Sequence, residues 1–296
     1  MPELPDIAVY IEALEREFLG NEVTGVRVAS VSVLRTFDPP HDAPVGSKVK
    51  GFRRIGKRIV FEFPDDLFLV IHLMVAGRLR LEPPGKAIPR KVGLAAIDFE
   101  HASLLLTEQG TKRRAGIWLL RGEEALLGED RGGVEPLEVS AAEFKKEITT
   151  ENRTLKRALT DPRIFSGIGN AYSDEILWSA QLSPVKRTAQ LSDEEIGRLH
   201  GAVVESLNAW TERLRDEIGD GWPTKVTAFR DDMAVHGKFK EPCPRCGSPV
   251  QRIVYASNET NYCATCQTDG KLLADRSLSR LLKADWPATI EDLEDV

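Results

Sequence analysis

The sequence predicts an α+β multidomain chain with a strand-rich N-terminal part, a helical middle and a cysteine-bearing C-terminal ribbon. Three observations carry this. Between about residues 22 and 120, short apolar or alternating runs are broken by turn residues. From about residue 140 the apolar period lengthens to that of helices. All four cysteines fall between Cys243 and Cys266. The length of 296 residues fits about two domains at ~150 residues each.

The chain opens on a helix pattern, with Ile7, Ile11, Leu14 and Phe18 at spacings of three and four. Pro5 suits a first turn and Gly20 a stop. VRVASVSVL, KRIVFEF, LFLVIHL, RLRLE and SLLLTE then read as strands of a sandwich or barrel, separated by turns such as Pro64-Asp65-Asp66 and Pro83-Pro84-Gly85. Ser140-x-x-Glu143 and Ser192-x-x-Glu195 match capping boxes. Between them PRIFSGIGNAYSDEILW reads as a turn and a short helix, with Asn170 as N-cap and Asp174 and Glu175 in the first turn. A long amphipathic helix follows, its stripe formed by Ile196, Leu199, Val203, Leu207, Trp210 and Leu214. A short helix near residues 278–282 and a frayed acidic end complete the reading.

Apolar content of 42% and charged content of 29% exclude wholesale disorder. No stretch approaches the ~18 apolar residues of a membrane span, and the acidic N-terminus does not read as a signal peptide. A cytoplasmic protein without membrane partners is expected. The net charge of −6 argues weakly against nucleic acid, but the charge is segregated. Residues 48–58 hold six basic side chains and no acid, and Lys112, Arg113 and Arg114 form a second run. A locally basic face on an acidic protein can hold phosphates.

Three constellations bear chemistry. Cys243-x2-Cys246 and Cys263-x2-Cys266 place two thiolate pairs on two turns, which suits one closed, structural Zn2+ site; a redox pair is the competing reading. Gly167-Ile168-Gly169-Asn170 enters a helix, where backbone amides bind an anion or simply form a cap. Pro2 follows the initiator methionine, whose removal exposes a secondary amine. Such an amine is partly neutral near pH 7 and attacks aldehyde-like carbon, with Glu3 beside it as acid or base. Alone, Met-Pro-Glu is an ordinary N-terminus.

In combination these features are specific. MPELP, Lys57 on a strand, GVEPLE, GIGNAYSDE and a terminal C-x2-C…C-x2-C ribbon occur in that order. The arrangement resembles the formamidopyrimidine-DNA glycosylase/endonuclease VIII family over residues 1 to about 267. The resemblance implies an N-terminal two-sheet β-sandwich with flanking helices (1–135), a helix–two-turn–helix domain (136–237) and a zinc-ribbon finger (238–270), followed by a tail (271–296). It implies a monomer acting on damaged double-stranded DNA at the nucleoid of a bacterial cell. The implied enzyme is a bifunctional DNA glycosylase/AP lyase of base excision repair. It flips an oxidised base out of the stack, forms a Schiff base on Pro2 and cleaves by β,δ-elimination. By position, Pro2 is the nucleophile, Glu3 the general acid and Lys57 the contact to a flanking phosphate and the sugar. Arg113 faces the orphaned base and Asn170 a phosphate, with Lys156, Gly169 and Glu175 as further DNA-binding positions.

The chain departs from that family at several points. Asn258 stands where the ribbon tip carries an arginine, so a forked, charge-assisted phosphate contact is lost. Ala115 and Val75 stand where wedge residues are a phenylalanine and a methionine. The segment AFRDDMAVHGKFKEPC is short and resembles endonuclease VIII, whereas MPELP resembles the formamidopyrimidine branch. About 30 residues follow Cys266. Two other functions compete: a lesion-binding protein with weak or no base excision, and an N-terminal-proline enzyme acting on small carbonyl compounds. The ribbon and the GIGN turn have no purpose in the second.

Overall fold

The computed structural model describes residues 1–110, 112–227, 230–255, 258–273 and 288–293. The chain divides into two compact units, one of residues 1–131 and 210–228, the other of 132–209 and 229–296.

The first unit begins with α1 (Leu4–Phe18), which buries Ile7, Tyr10, Leu14 and Phe18; Ile11 is only partly buried. Eight strands follow: β1 (Val23–Val28), β2 (Gly51–Ile55), β3 (Arg58–Glu62), β4 (Leu67–His72), β5 (Gly77–Glu82), β6 (Gly93–Phe99), β7 (Ser103–Glu108) and β8 (Gly116–Arg121), then the short helix α2 (Glu123–Leu127). They form two antiparallel four-stranded sheets, ordered β1-β6-β7-β5 and β2-β3-β4-β8. Phe61, Leu69, Ile71 and Leu119 of one sheet share a core with Leu79, Ile97, Leu104 and Leu106 of the other and with α1. Val60, Phe68, Val70 and Leu120 pack on the outer face with Leu126 of α2. Strands β3 and β4 are therefore buried on both faces, which explains their unbroken apolar sequence.

The run VRVASVSVL is not one strand. The amides of Ala29 and Ser30 both donate to Leu94 O, at 2.9 and 3.2 Å, which ends the β1 ladder. Residues Val31–Val33 then form a 3-10 turn. Residues 210–228 return to this unit. Arg215 Nη2 meets Glu12 Oε1 at 2.6 Å, and Trp222 Nε1 donates to Leu79 O at 2.9 Å.

The second unit holds α3 (Ala141–Thr149), α4 (Leu155–Thr160), α5 (Asn170–Ser179) and the first part of α6 (Asp193–Ile218), then the ribbon β9 (Gln251–Tyr255) and β10 (Asn258–Tyr262) and helix α7 (Ala264–Thr268). Both capping boxes form: Glu143 N donates to Ser140 Oγ, and Glu195 N to Ser192 Oγ at 3.2 Å. Phe144 stacks on Phe165 at 4.9 Å. All six residues of the α6 stripe are buried. Leu272 and Ile290 join Ile253 and Tyr262 of the ribbon in one apolar cluster. The helix expected near 278–282 lies outside the described residues. Among the described residues no helix is long and apolar enough to cross a membrane.

Candidate active site

In the first unit the N-terminal dipeptide sits at the head of α1. Pro2 is buried, and Glu3, 2% exposed, is the N-cap. Glu3 forms a reciprocal capping box with Asp6, its own amide donating to Asp6 Oδ2 at 2.9 Å. The terminal amine here is that of Met1. Burial holds its pKa below the ordinary value of 8.0; Glu3 and Asp6 oppose that shift, while Arg78 and Lys57 add to it. The amine thus lies in the field of two carboxylates and two cations, and is drawn toward its neutral, nucleophilic form.

Lys57 is in the two-residue turn Gly56-Lys57 between β2 and β3, with Gly56 at φ +59. It was expected on a strand, but the β2–β3 register closes at Ile55↔Arg58, one residue beyond it. His72, opposite Arg58 on β4, is lowered to about 4 by burial, then by Arg58 and Lys57. Much of the first basic run is internally compensated: Arg53 pairs with Glu62 and Glu123, and Arg58 with Glu129. Arg113 is exposed and donates to Lys91 O. The following loop is shaped by buried Glu108, whose carboxylate accepts from the amides of Arg114 and Ala115 at 2.8 and 2.9 Å. Ala115 is 2% exposed and belongs to the core, so it presents no wedge. Val75, on the turn between β4 and β5, is 58% exposed.

In the second unit the chain enters α5 through Gly167, at φ +80, and Gly169, the extended N-cap. Asn170 is the first helical residue rather than the cap. Its Nδ2 donates to Glu259 O of β10 at 2.9 Å. Asp174 and Glu175 therefore fall beyond the first turn and point into protein. Lys156 Nζ contacts Asn170 O at 2.5 Å and Asp174 Oδ1 at 2.6 Å, and His236 Nδ1 meets Asp174 Oδ2 at 2.8 Å. Glu175 accepts the amides of Ala234, Val235 and His236 at 2.8, 2.9 and 2.9 Å. A cavity of about 420 Å3 brings together Lys156, Asn170 and Asn258. Asn258 starts β10, opposite Tyr255, and is exposed.

The four cysteine sulfurs lie within 4.8 Å of one another, with Cys243 and Cys266 at 3.9 Å and Cys246 and Cys263 at 3.4 Å. A tetrahedral zinc with bonds of about 2.3 Å places its sulfurs roughly 3.8 Å apart, so the cluster fits one structural Zn2+. Trp178 Nε1 donates to Cys243 Sγ at 3.3 Å, and Cys266 N to Cys263 Sγ at 3.5 Å. These donors suit thiolate ligands.

Three family profiles match the chain: the formamidopyrimidine-DNA glycosylase N-terminal domain over residues 1–116, its H2TH (helix–two-turn–helix) domain over 133–218, and the zinc finger found in FPG and IleRS over 240–268. The formamidopyrimidine-DNA glycosylase of Chloroflexus aurantiacus is 30% identical, over 90% of this chain and 98% of its own. The chain belongs to the formamidopyrimidine-DNA glycosylase family. Members of this family are DNA glycosylases with AP lyase activity. The Lactococcus lactis subsp. cremoris member is 28% identical over 90% of this chain and 99% of its own. A crystal structure of a Lactococcus lactis FPG mutant complexed with Fapy-dG-containing DNA matches with a TM-score of 0.78. Identity is 26%, covering 90% of this chain and all of that one. A wild-type complex from that organism with oxidised-pyrimidine DNA matches equally well.

Two positions expected to bind DNA also have partners within the chain: Glu175 accepts the 234–236 amides, and Lys156 pairs with Asp174. Sequence reading missed Asp6, Glu108 and the Asp174–His236 pair, whose partners are 3 to 62 residues away. The Glu3-x-x-Asp6 spacing carried a capping signal for the first; the other two had none.

Proposed function

We propose that this chain removes oxidised bases from duplex DNA and cleaves the strand through its N-terminal proline, acting as a cytoplasmic monomer at the nucleoid. Once Met1 is removed, the Pro2 nitrogen attacks C1′ of the flipped nucleotide and the base departs with a proton. Loss of the ring oxygen from C1′ gives an iminium linking Pro2 to the open sugar. Protonation of that oxygen by Glu3 assists ring opening. β-elimination expels the 3′ phosphate, δ-elimination the 5′ phosphate, and water releases the amine. Lys57 holds a flanking phosphate, Arg113 the orphaned base, and Asn170 with the Gly167–Gly169 turn a backbone phosphate. Val75 fills the gap left by the base, and the zinc holds the ribbon.

The observation that carries this reading is the placement of Pro2, buried at the head of α1 beside the 2% exposed carboxylate of Glu3, with Asp6, Lys57 and Arg78 acting on the charge at this end of the chain. The Lactococcus lactis complexes contain both Fapy-dG and an oxidised pyrimidine, so both lesion classes are candidates. The test is a panel of labelled duplexes carrying an abasic site, 8-oxoguanine opposite cytosine, a formamidopyrimidine, thymine glycol or dihydrouracil. Cleavage of a base lesion supports excision and names its class. Tight binding without cleavage of any of them replaces this reading with a lesion-binding protein.

A further inference from the structure

The cavity that joins Asn258 to Asn170 also carries two arginines to which the reading above gives no part. It is walled by α4, the start of α5, the segment 184–187 and both ribbon strands. Its lining includes three cations, Lys156, Arg157 and Arg187, and no carboxylate. Lys156 is 12% exposed in its side chain and bound to the fully buried Asp174, so its charge is largely spent. Arg157 and Arg187 are exposed, and neither has a carboxylate partner among the described residues. Arg187 has one weak tie, from Nη1 to Asn152 O at 3.3 Å. Asn170, Asn258, Thr154, Thr160 and Thr260 add neutral polar groups to the wall. A concave, acid-free surface with two uncommitted guanidiniums and neutral hydrogen-bonding groups suits an anion with several oxygens.

We propose that Arg157 and Arg187 form a phosphate-binding site for the DNA backbone, supplying from the helical region the positive charge that Asn258 does not bring. This rests on the DNA reading above. The two arginines are binding residues, not catalytic ones.

The test measures binding of the full-length, zinc-loaded protein to a duplex carrying a tetrahydrofuran abasic analogue, from 50 to 300 mM KCl. The wild type is compared with Arg157→Ala/Arg187→Ala. A control, Lys145→Ala/Lys146→Ala on α3, loses the same charge away from the cavity. Zinc content and circular dichroism confirm folding of each. The arginine variant should bind about 10–100-fold more weakly at low salt and lose roughly 1–2 units of log Kd versus log salt slope, one per phosphate contact. The lysine control should shift far less. Adding Asn258→Arg to the arginine variant should recover at least part of the slope. An unchanged slope in the arginine variant overturns the site, as does an equal loss in the lysine control. A wild type that binds and cleaves beside an unaffected arginine variant refutes this inference alone. A wild type that binds no damaged duplex refutes the DNA reading with it.

Discussion

Glu175→Ala removes the acceptor that fixes residues 234–236 to helix α5. Three amides at 2.8–2.9 Å converge on one carboxylate that is 5% exposed. Each buried donor left unmet costs about 1–3 kcal/mol, and water entering the vacated volume recovers part of this. A net loss of roughly 3–5 kcal/mol is expected for that segment. At about 1.4 kcal/mol per decade, its local opening then rises at least ~100-fold. Glu175→Gln keeps a carbonyl acceptor but turns an amine toward one of the donors, so its loss should be about half. Hydrogen exchange read at the amides of Ala234, Val235 and His236 is the suitable assay, since a two-unit chain need not unfold in one step. Protection should fall in the order wild type, Gln, Ala. Equal protection in all three proteins would refute the assigned role of Glu175.

Further outcomes follow from single distances and charges. A Cβ on Gly77 would lie 2.2 Å from Leu73 O, within the turn closed by the 2.8 Å bond from Gly77 N to that oxygen. Gly77→Ala should cost about 2–3 kcal/mol and displace Val75, whereas Gly197→Ala, in open space on α6, should stabilise by ~0.5–1 kcal/mol. Thermal melts of the two variants that coincide would contradict this. His72, lowered from 6.5 to about 4, stays neutral in the folded chain while the unfolded chain takes up a proton. Its contribution is complete above pH 6.5 and lost as the pH falls toward 4. A shift of that size is worth ~3 kcal/mol, or ~2 after solvent screening. Urea midpoints should therefore fall more steeply for wild type than for His72→Gln across this range; parallel profiles would rule the effect out.

Features with a local signature were legible in the sequence. The capping residues Ser140 and Ser192, the α6 stripe and the cysteine pairs each declare themselves within a few positions, and each is found as read. Strands β2, β6 and β8 were less distinct. Arg53 and Arg54 interrupt the first, while Gly93 and two alanines weaken the second. Pairing across the sheets decides these strands, and pairing is not local. Asn170 looked like a cap because asparagine favours that position, yet Gly169 takes the extended conformation and frees Asn170 to reach Glu259. Glu175 and Lys156 were read as DNA-binding from their place in the family pattern; their partners within the chain lie 59 to 61 and 14 to 18 residues away, and only the folded chain reveals them.

The central claim is that the amine of Pro2 makes the covalent bond to DNA. Borohydride reduction of the protein mixed with abasic-site duplex tests it directly, with Met1 removal verified by mass spectrometry. A stable cross-link is expected for the processed wild type, and none for Pro2→Gly or for a protein with a retained N-terminal extension. A cross-link of undiminished yield with the terminal amine blocked would contradict it.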